Sequence, residues 1–220
     1  MKILLCDDHR MMRDGLRVIL EKEGLEILGE AANGRECIAL AAQLLPDIVV
    51  MDISMPDLNG IDATRRLLAK FPRMRVIALS MNSDHRYVVA MFAAGAVGYL
   101  LKSSASEELI QAVRAVAADL KYVSPAIAGS FVDDYMNQPS AAQLLSSSPA
   151  PATGKPLSSR EREVLQLLAE GKSSKDIAAR LDIAGTTVET HRRQIMDKLQ
   201  LRTIAELTKY AVREGLTSLE

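Results

Sequence analysis

Residues 2–16, KILLCDDHRMMRDGL, set four consecutive apolar side chains (Ile3 to Cys6) directly before two adjacent carboxylates, Asp7 and Asp8. The apolar run has the length and composition of a strand buried on both faces, and the residues after it carry a helical period. Two neighbouring negative charges at a strand-to-helix junction repel each other. They are either solvated decoration or part of a holder for something strongly positive.

Four more runs of the same kind follow: LEILGEA (25–31), DIVVMD (47–52), RVIALS (75–80) and GYLLK (98–102). Helix-period stretches separate them, at 9–24, 33–45, 59–71, 83–95 and 104–120; in the last, Leu109, Ile110, Val113 and Val116 share one face. Five strand–helix units predict an α/β domain over residues 1–120, a doubly wound five-stranded parallel sheet with helices on both faces. Residues 121–156 read as a linker. Its SSSPAPATGKP stretch (146–156) has no periodicity and suits a tether, while Ala141 to Leu145 can prolong a helix.

From 157 to 220 the chain reads as four short helices of an all-α domain: LSSREREVLQLLAEG (157–171), SSKDIAARL (173–181), AGTTVETHRRQIMDKL (184–199) and TIAELTKYAVREGL (203–216). Ser158 with Glu161 three residues later has capping-box spacing. The middle two helices, joined at DIAG (182–185), have the proportions of a helix-turn-helix.

Composition excludes little. Apolar residues make up 48% of the chain and charged residues 25%, the profile of a soluble globular protein, and with 4% aromatics and no Trp the core is aliphatic. The net charge is −1, but residues 155–220 carry twelve basic against ten acidic side chains, a surplus of +2 compatible with a polyanionic partner. Cys6 and Cys37 lack metal-ligand spacing and read as reduced core thiols of a cytoplasmic protein. No apolar run approaches the ~18–20 residues that span a bilayer, and the N-terminus reads as a core strand instead of a cleavable signal.

In an open parallel sheet, sites form beyond the carboxyl ends of the strands, near a switch in strand order. The residues there are Asp7 and Asp8 after the first strand, Asp52 after the third, Ser80 after the fourth and Lys102 after the fifth. Three acids brought together cannot all stay ionised without a counter-charge. Mg²⁺, a hard ion that takes carboxylate, water and phosphate oxygens, solves that problem. The plainer alternative is that loops after strands are often acidic.

CDDH, MDISMPDLNGID, ALS and GYLLK together resemble the receiver domain of two-component response regulators, over residues 1 to about 120. The resemblance implies a flavodoxin-like fold in which Asp52 takes a phosphoryl group from a sensor histidine kinase. It implies that Asp8 and Asp52 bind Mg²⁺ directly, with Asp7 nearby or acting through water and the Ser54 backbone carbonyl completing the ligands. Lys102 and Ser80 then contact the phosphoryl oxygens. Tyr99 corresponds to the family's aromatic switch; an ordinary tyrosine at a sheet edge is the other reading. Ser103 departs from the family, which often has proline after the lysine, although the serine is common with this kind of output domain.

Residues 157–219 resemble the helix-turn-helix domain of the LuxR/NarL/FixJ regulators, through REREVL, EGKS, DIAARL, TTVETH and KLQL. Val188, Ile195 and Leu199 are expected in a three-helix core. The other face offers Thr187, Glu189, Thr190, His191, Arg192, Arg193 and Lys198 to double-stranded promoter DNA. By the resemblance Glu189, Thr190 and Arg193 occupy base-facing positions, and Thr187, Arg192 and Lys175 are phosphate candidates. Glu189 either accepts a hydrogen bond from cytosine N4 or points away to pair with Arg192 or Arg193, and His191 reads as structural or phosphate-contacting. Ile204, Leu207 and Val212 on the last helix either form a homodimer surface, favoured by phosphorylation, or pack within the domain. Beside a phosphorylation-switched regulator that is not an enzyme stand a phosphorylation-independent DNA-binding regulator and a Mg²⁺-dependent phosphohydrolase with an aspartyl nucleophile. The phosphohydrolase is weakened by Ser54, which stands where such enzymes usually place a second acid.

Overall fold

The computed structural model describes residues 1–129 and 157–217, and the chain divides into two compact units, one in each range. The tether expected at 146–156 and the helical extension at Ala141 to Leu145 lie outside the described residues.

In the first unit, β1 (Lys2–Cys6), β2 (Glu26–Ala31), β3 (Ile48–Asp52), β4 (Arg75–Ser80), β5 (Gly98–Leu101) and β6 (Tyr122–Val123) form one parallel sheet in the order β2-β1-β3-β4-β5-β6. The helices α1 (Arg10–Lys22), α2 (Gly34–Leu44), α3 (Gly60–Lys70), α4 (His85–Ala93) and α5 (Ala105–Ala117) cover it. Strand side chains alternate faces, and the core divides accordingly. Leu4, Cys6, Val49, Met51, Val76 and Ala78 pack with residues of α2, α3 and α4, while Ile3, Leu5, Ile48, Val50, Ile77 and Leu79 pack with residues of α1 and α5. Burial on both faces is why these strands are continuously apolar.

The sheet has six strands, not the expected five. Tyr122 and Val123 pair with Gly98 and Tyr99, so β5 is not an edge and Tyr99 is not an edge tyrosine. A two-residue strand has no periodicity to read, and long-range bonds hold this one. The Ser124 amide donates to the Tyr99 carbonyl (2.9 Å), and the Ser124 and Tyr122 hydroxyls reach the Glu108 carboxylate of α5 at 3.0 and 3.4 Å. Residues 125–129 are helical and Ile127 is fully buried. The first unit therefore runs past the boundary expected at 120.

Two glycines are required by backbone proximity. A Cβ on Gly60 would lie 2.0 Å from the Asp52 carbonyl oxygen, and one on Gly34 would lie 2.5 Å from that of Leu58. The loop from Asp52 to α3 is pressed against the end of β3 and closed by the Gly60 amide donating to Ile53 O at 2.9 Å.

The second unit comprises α6 (Ser159–Ala169), α7 (Ser174–Leu181), α8 (Gly185–Leu199) and α9 (Ile204–Arg213). The Ser158–Glu161 capping box is formed, and Ser173–Asp176 and Thr203–Glu206 make two more. Asp182 takes a left-handed conformation (φ 51°) that ends α7 and starts the turn into α8. Val188 and Ile195 are buried and Leu199 is partly buried in the core. One expectation fails: Leu207 is fully enclosed with Ala211 and Leu216 in that core. Because α9 packs against α6 as a fourth wall, Leu207 has no surface to offer a second copy. Ile204 is exposed and Val212 half-buried.

Glu161 also holds Lys198 Nζ at 2.7 Å, tying α6 to the end of α8. Burial pushes the Glu161 carboxyl up, but Lys198 and the Ser158 cap outweigh it and hold it below its ordinary 4.5.

Three outcomes are expected. Gly60→Ala costs about 1–3 kcal/mol or more by overpacking, read as a lower urea midpoint for the first unit. Glu108→Ala costs about 1–2 kcal/mol by stranding the Ser124 hydroxyl and speeds amide hydrogen exchange at Ser124. Since the folded Glu161 carboxyl holds its proton more weakly than the unfolded one, its stabilisation is complete above pH 4.5 and lost as pH falls through the folded value. Thermal melts of wild type and Glu161→Gln should differ at pH 7 and converge toward pH 3; a constant difference would contradict the linkage.

Candidate phosphoacceptor site and nucleic-acid interface

The strand order reverses between β2 and β3 on either side of β1, which opens a crevice at their carboxyl ends. Asp7 follows β1 and Asp52 ends β3, each 1% exposed. The 3₁₀ turn after β5 (Lys102–Ser104) starts with Lys102, also buried. Its Nζ lies 2.8 Å from Asp7 Oδ2 and 2.7 Å from Asp52 Oδ2. Asp8 completes the group: ligand atoms of Asp7, Asp8, His9 and Asp52 all lie within 4.8 Å of one another.

One ammonium cannot neutralise three carboxylates. Burial and the neighbouring Asp7 charge push the Asp52 carboxyl up to about 7, although Lys102 and the Ser54 amide pull the other way. Burial lowers the Lys102 ammonium's affinity for its proton, but Asp52 and Asp7 outweigh it and the pKa rises. Asp7 Oδ2 and Asp8 Oδ1 are buried oxygens whose ion contacts, to Lys102 and to His9 Nδ1 (2.6 Å), are not aligned hydrogen bonds. A hard divalent cation fits this donor set, being oxygen-rich, anionic and short of positive charge.

The surroundings fix the acidic loop. The His9 amide donates to Asp7 Oδ1 at 2.8 Å, and Arg13 donates to the Asp7 carbonyl while Glu30 of β2 holds Arg13 Nε at 3.0 Å. Sequence reading missed His9, Arg13 and Glu30. The adjacency of His9 to the acidic pair was the one available signal, since the Arg13–Glu30 pairing spans 17 residues. Ser54 donates its amide to Asp52 Oδ1 (3.2 Å).

Ser80 ends β4, its Oγ accepting the Asn82 amide at 2.9 Å. Tyr99 is fully buried and its hydroxyl donates to the Asn82 carbonyl at 2.9 Å, so Ser80 and Tyr99 grip the same loop residue. Burial is the main reason the Tyr99 phenol rises to about 12. Cys6 and Cys37 are buried free thiols. Burial, then contact with Cys37 and the charges of Asp52 and Asp7, raise the Cys6 pKa well above its ordinary value, as an unreactive core thiol requires.

In the second unit a groove between α7 and α8 is lined by Ser174, Lys175, Ala178, Gly185, Thr186, Glu189, Thr190 and Arg193. Four of the sequence-derived DNA residues meet there: Lys175, Glu189, Thr190 and Arg193. Thr187, His191 and Arg192 are half-buried on α8, and His191 Nδ1 is buried without a hydrogen-bond partner among the described residues. Lys198 departs from expectation, because its ammonium is taken by Glu161 and not presented outward. Among the described residues, no helix is long and apolar enough to cross a membrane.

Residues 3–114 match the response regulator receiver domain, and residues 155–211 match the bacterial regulatory proteins of the luxR family. The oxygen regulatory protein NreC of Staphylococcus epidermidis is 38% identical, over 98% of this chain and 99% of its own. A LuxR-family two-component response regulator from an Aurantimonas species superposes with a TM-score of 0.59 at 36% identity, covering 62% of this chain and 98% of that one. The structure of two RcsB dimers bound to two parallel DNAs gives a TM-score of 0.56 at 26% identity, over 97% and 98% of the two chains. Each unit has its own family match and NreC aligns across both, so the chain belongs to the NarL/FixJ class of two-component response regulators, transcriptional regulators that bind DNA through a LuxR-type domain.

Proposed function

We propose that Asp52 accepts a phosphoryl group from the phosphohistidine of a sensor kinase, and that this favours homodimers of the chain on promoter DNA. The observation that carries the reading is the meeting of buried Asp7 and Asp52 on the single ammonium of Lys102. In the transfer an Asp52 carboxylate oxygen forms its bond to phosphorus as the donor's N–P bond breaks, and the electron pair leaves on the histidine nitrogen. An anion attacking an anionic phosphoryl group must overcome repulsion, and Lys102 stands ready to neutralise oxygens that gain charge. Asp7, Asp8, Asp52 and the Ser54 carbonyl are the residues that would hold Mg²⁺, which when bound supplies the remaining positive charge.

Ser80 donates its hydroxyl to the new phosphoryl oxygens, which draws it from the Asn82 amide. Tyr99, bonded to the same Asn82, responds to that movement, and β6 lies next to it in the sheet. In the output unit, Glu189, Thr190 and Arg193 face bases, while Thr187, Arg192 and Lys175 hold phosphates. Ile204 and Val212 contribute to the dimer surface. A domain with a surplus of only +2 gains most from doubling its contacts on paired half-sites. The DNA-bound RcsB dimers support this part of the reading.

A phosphohistidine donor with Mg²⁺ should label the wild-type chain and leave Asp52→Asn unlabelled. Labelling of Asp52→Asn at another residue refutes the assignment of the phosphoacceptor.

A further inference from the structure

The three base-facing side chains of α8 are differently committed. The Thr190 hydroxyl donates to the Thr186 carbonyl of its own helix at 2.9 Å, which consumes its donor. Arg193 is exposed and has no ion pair among the described residues. Glu189 is held from outside its helix: its Oε1 accepts from the hydroxyl of Ser174, the first residue of α7, at 2.6 Å. The nearest arginine nitrogen, Arg192 Nη1, lies 3.8 Å away, an ion contact beyond hydrogen-bond reach. The carboxylate therefore leans across the crevice between the two helices, and with its side chain half-exposed most of its lone pairs stay open to the groove.

A carboxylate in the major groove only accepts. Guanine (O6, N7) and thymine (O4) present acceptors and repel it. Adenine offers its N6 amino group beside the N7 acceptor, and cytosine alone offers an amino donor, N4, without an acceptor on the same base edge. The geometry points to Glu189 as the residue that selects cytosine at one position of each operator half-site, with Ser174 as its positioning residue. The inference rests on the DNA-reading role of this unit. Glu189 works largely by exclusion, since guanine and thymine at that position meet an unpaired negative charge and adenine sets its N7 acceptor against it.

Selection of binding sites from a randomised duplex pool, using the full-length protein with Mg²⁺ and beryllofluoride, tests it. The wild-type pool should carry cytosine at one position per half-site, by about tenfold over other bases. Glu189→Lys should convert that position to guanine and Glu189→Gln should convert it to adenine, with the other positions unchanged. Ser174→Ala should reduce the cytosine preference to a few-fold at that position alone, and Ser174→Thr should restore it; a structural role for Ser174 would weaken all positions together. The same motif from wild type and from both Glu189 variants overturns the inference. A wild-type pool with no enriched motif overturns the DNA-reading role itself, a distinguishable failure.

Discussion

An ammonium shared between two buried carboxylates is stable only while the folded chain holds all three in place. Asp7, Asp52 and Lys102 are each taken out of water at the carboxyl ends of separate strands, where charge is costly unless compensated. The compensation is incomplete, because Asp8 adds a third acid and one lysine cannot balance the set. This residual negative charge gives the site its chemistry. It suits a hard cation, and in the proposed phosphotransfer Lys102 is the group that would meet the incoming phosphoryl oxygens.

Much of the first unit serves to hold that imbalance. The crossover pattern β2-β1-β3 places the ends of β1 and β3 side by side, and the aliphatic layers on both faces make the sheet rigid enough to keep them there. Gly60 lets the loop after Asp52 press on the strand that carries it, and Arg13 anchors the acidic loop to Glu30. On the other flank, Ser80 and Tyr99 hold Asn82, while the carbonyl of Tyr99 receives the amide of Ser124. Tyr99 is thus bonded both to the loop after β4 and to the residue that follows β6.

The helical unit solves a different problem, presenting one face of α8 while burying the other. Three capping boxes and the left-handed turn at Asp182 set its helix ends. The Glu161–Lys198 pair and the burial of Leu207 make α6 and α9 supports for α8. Leu207, a surface candidate by sequence, is enclosed in the core, and the ammonium of Lys198 is held by Glu161, 37 positions away in the chain.

The residues alone determined what is short-range: strand and helix positions, caps at Ser158 and Glu161, and acids, hydroxyl and lysine at successive strand ends. Periodicity and capping are written within a few residues, and the familiar motifs CDDH, MDISMPDLNG and GYLLK supplied the rest of the family assignment. Only tertiary structure decided that Asp7 and Asp52 share Lys102, that Tyr122 and Val123 form a sixth strand, that Leu207 is core, and that Ser174 holds Glu189 across the crevice. Those pairings join groups 15 to 95 positions apart. Their strength depends on distance, burial and direction, which exist only once the chain has packed.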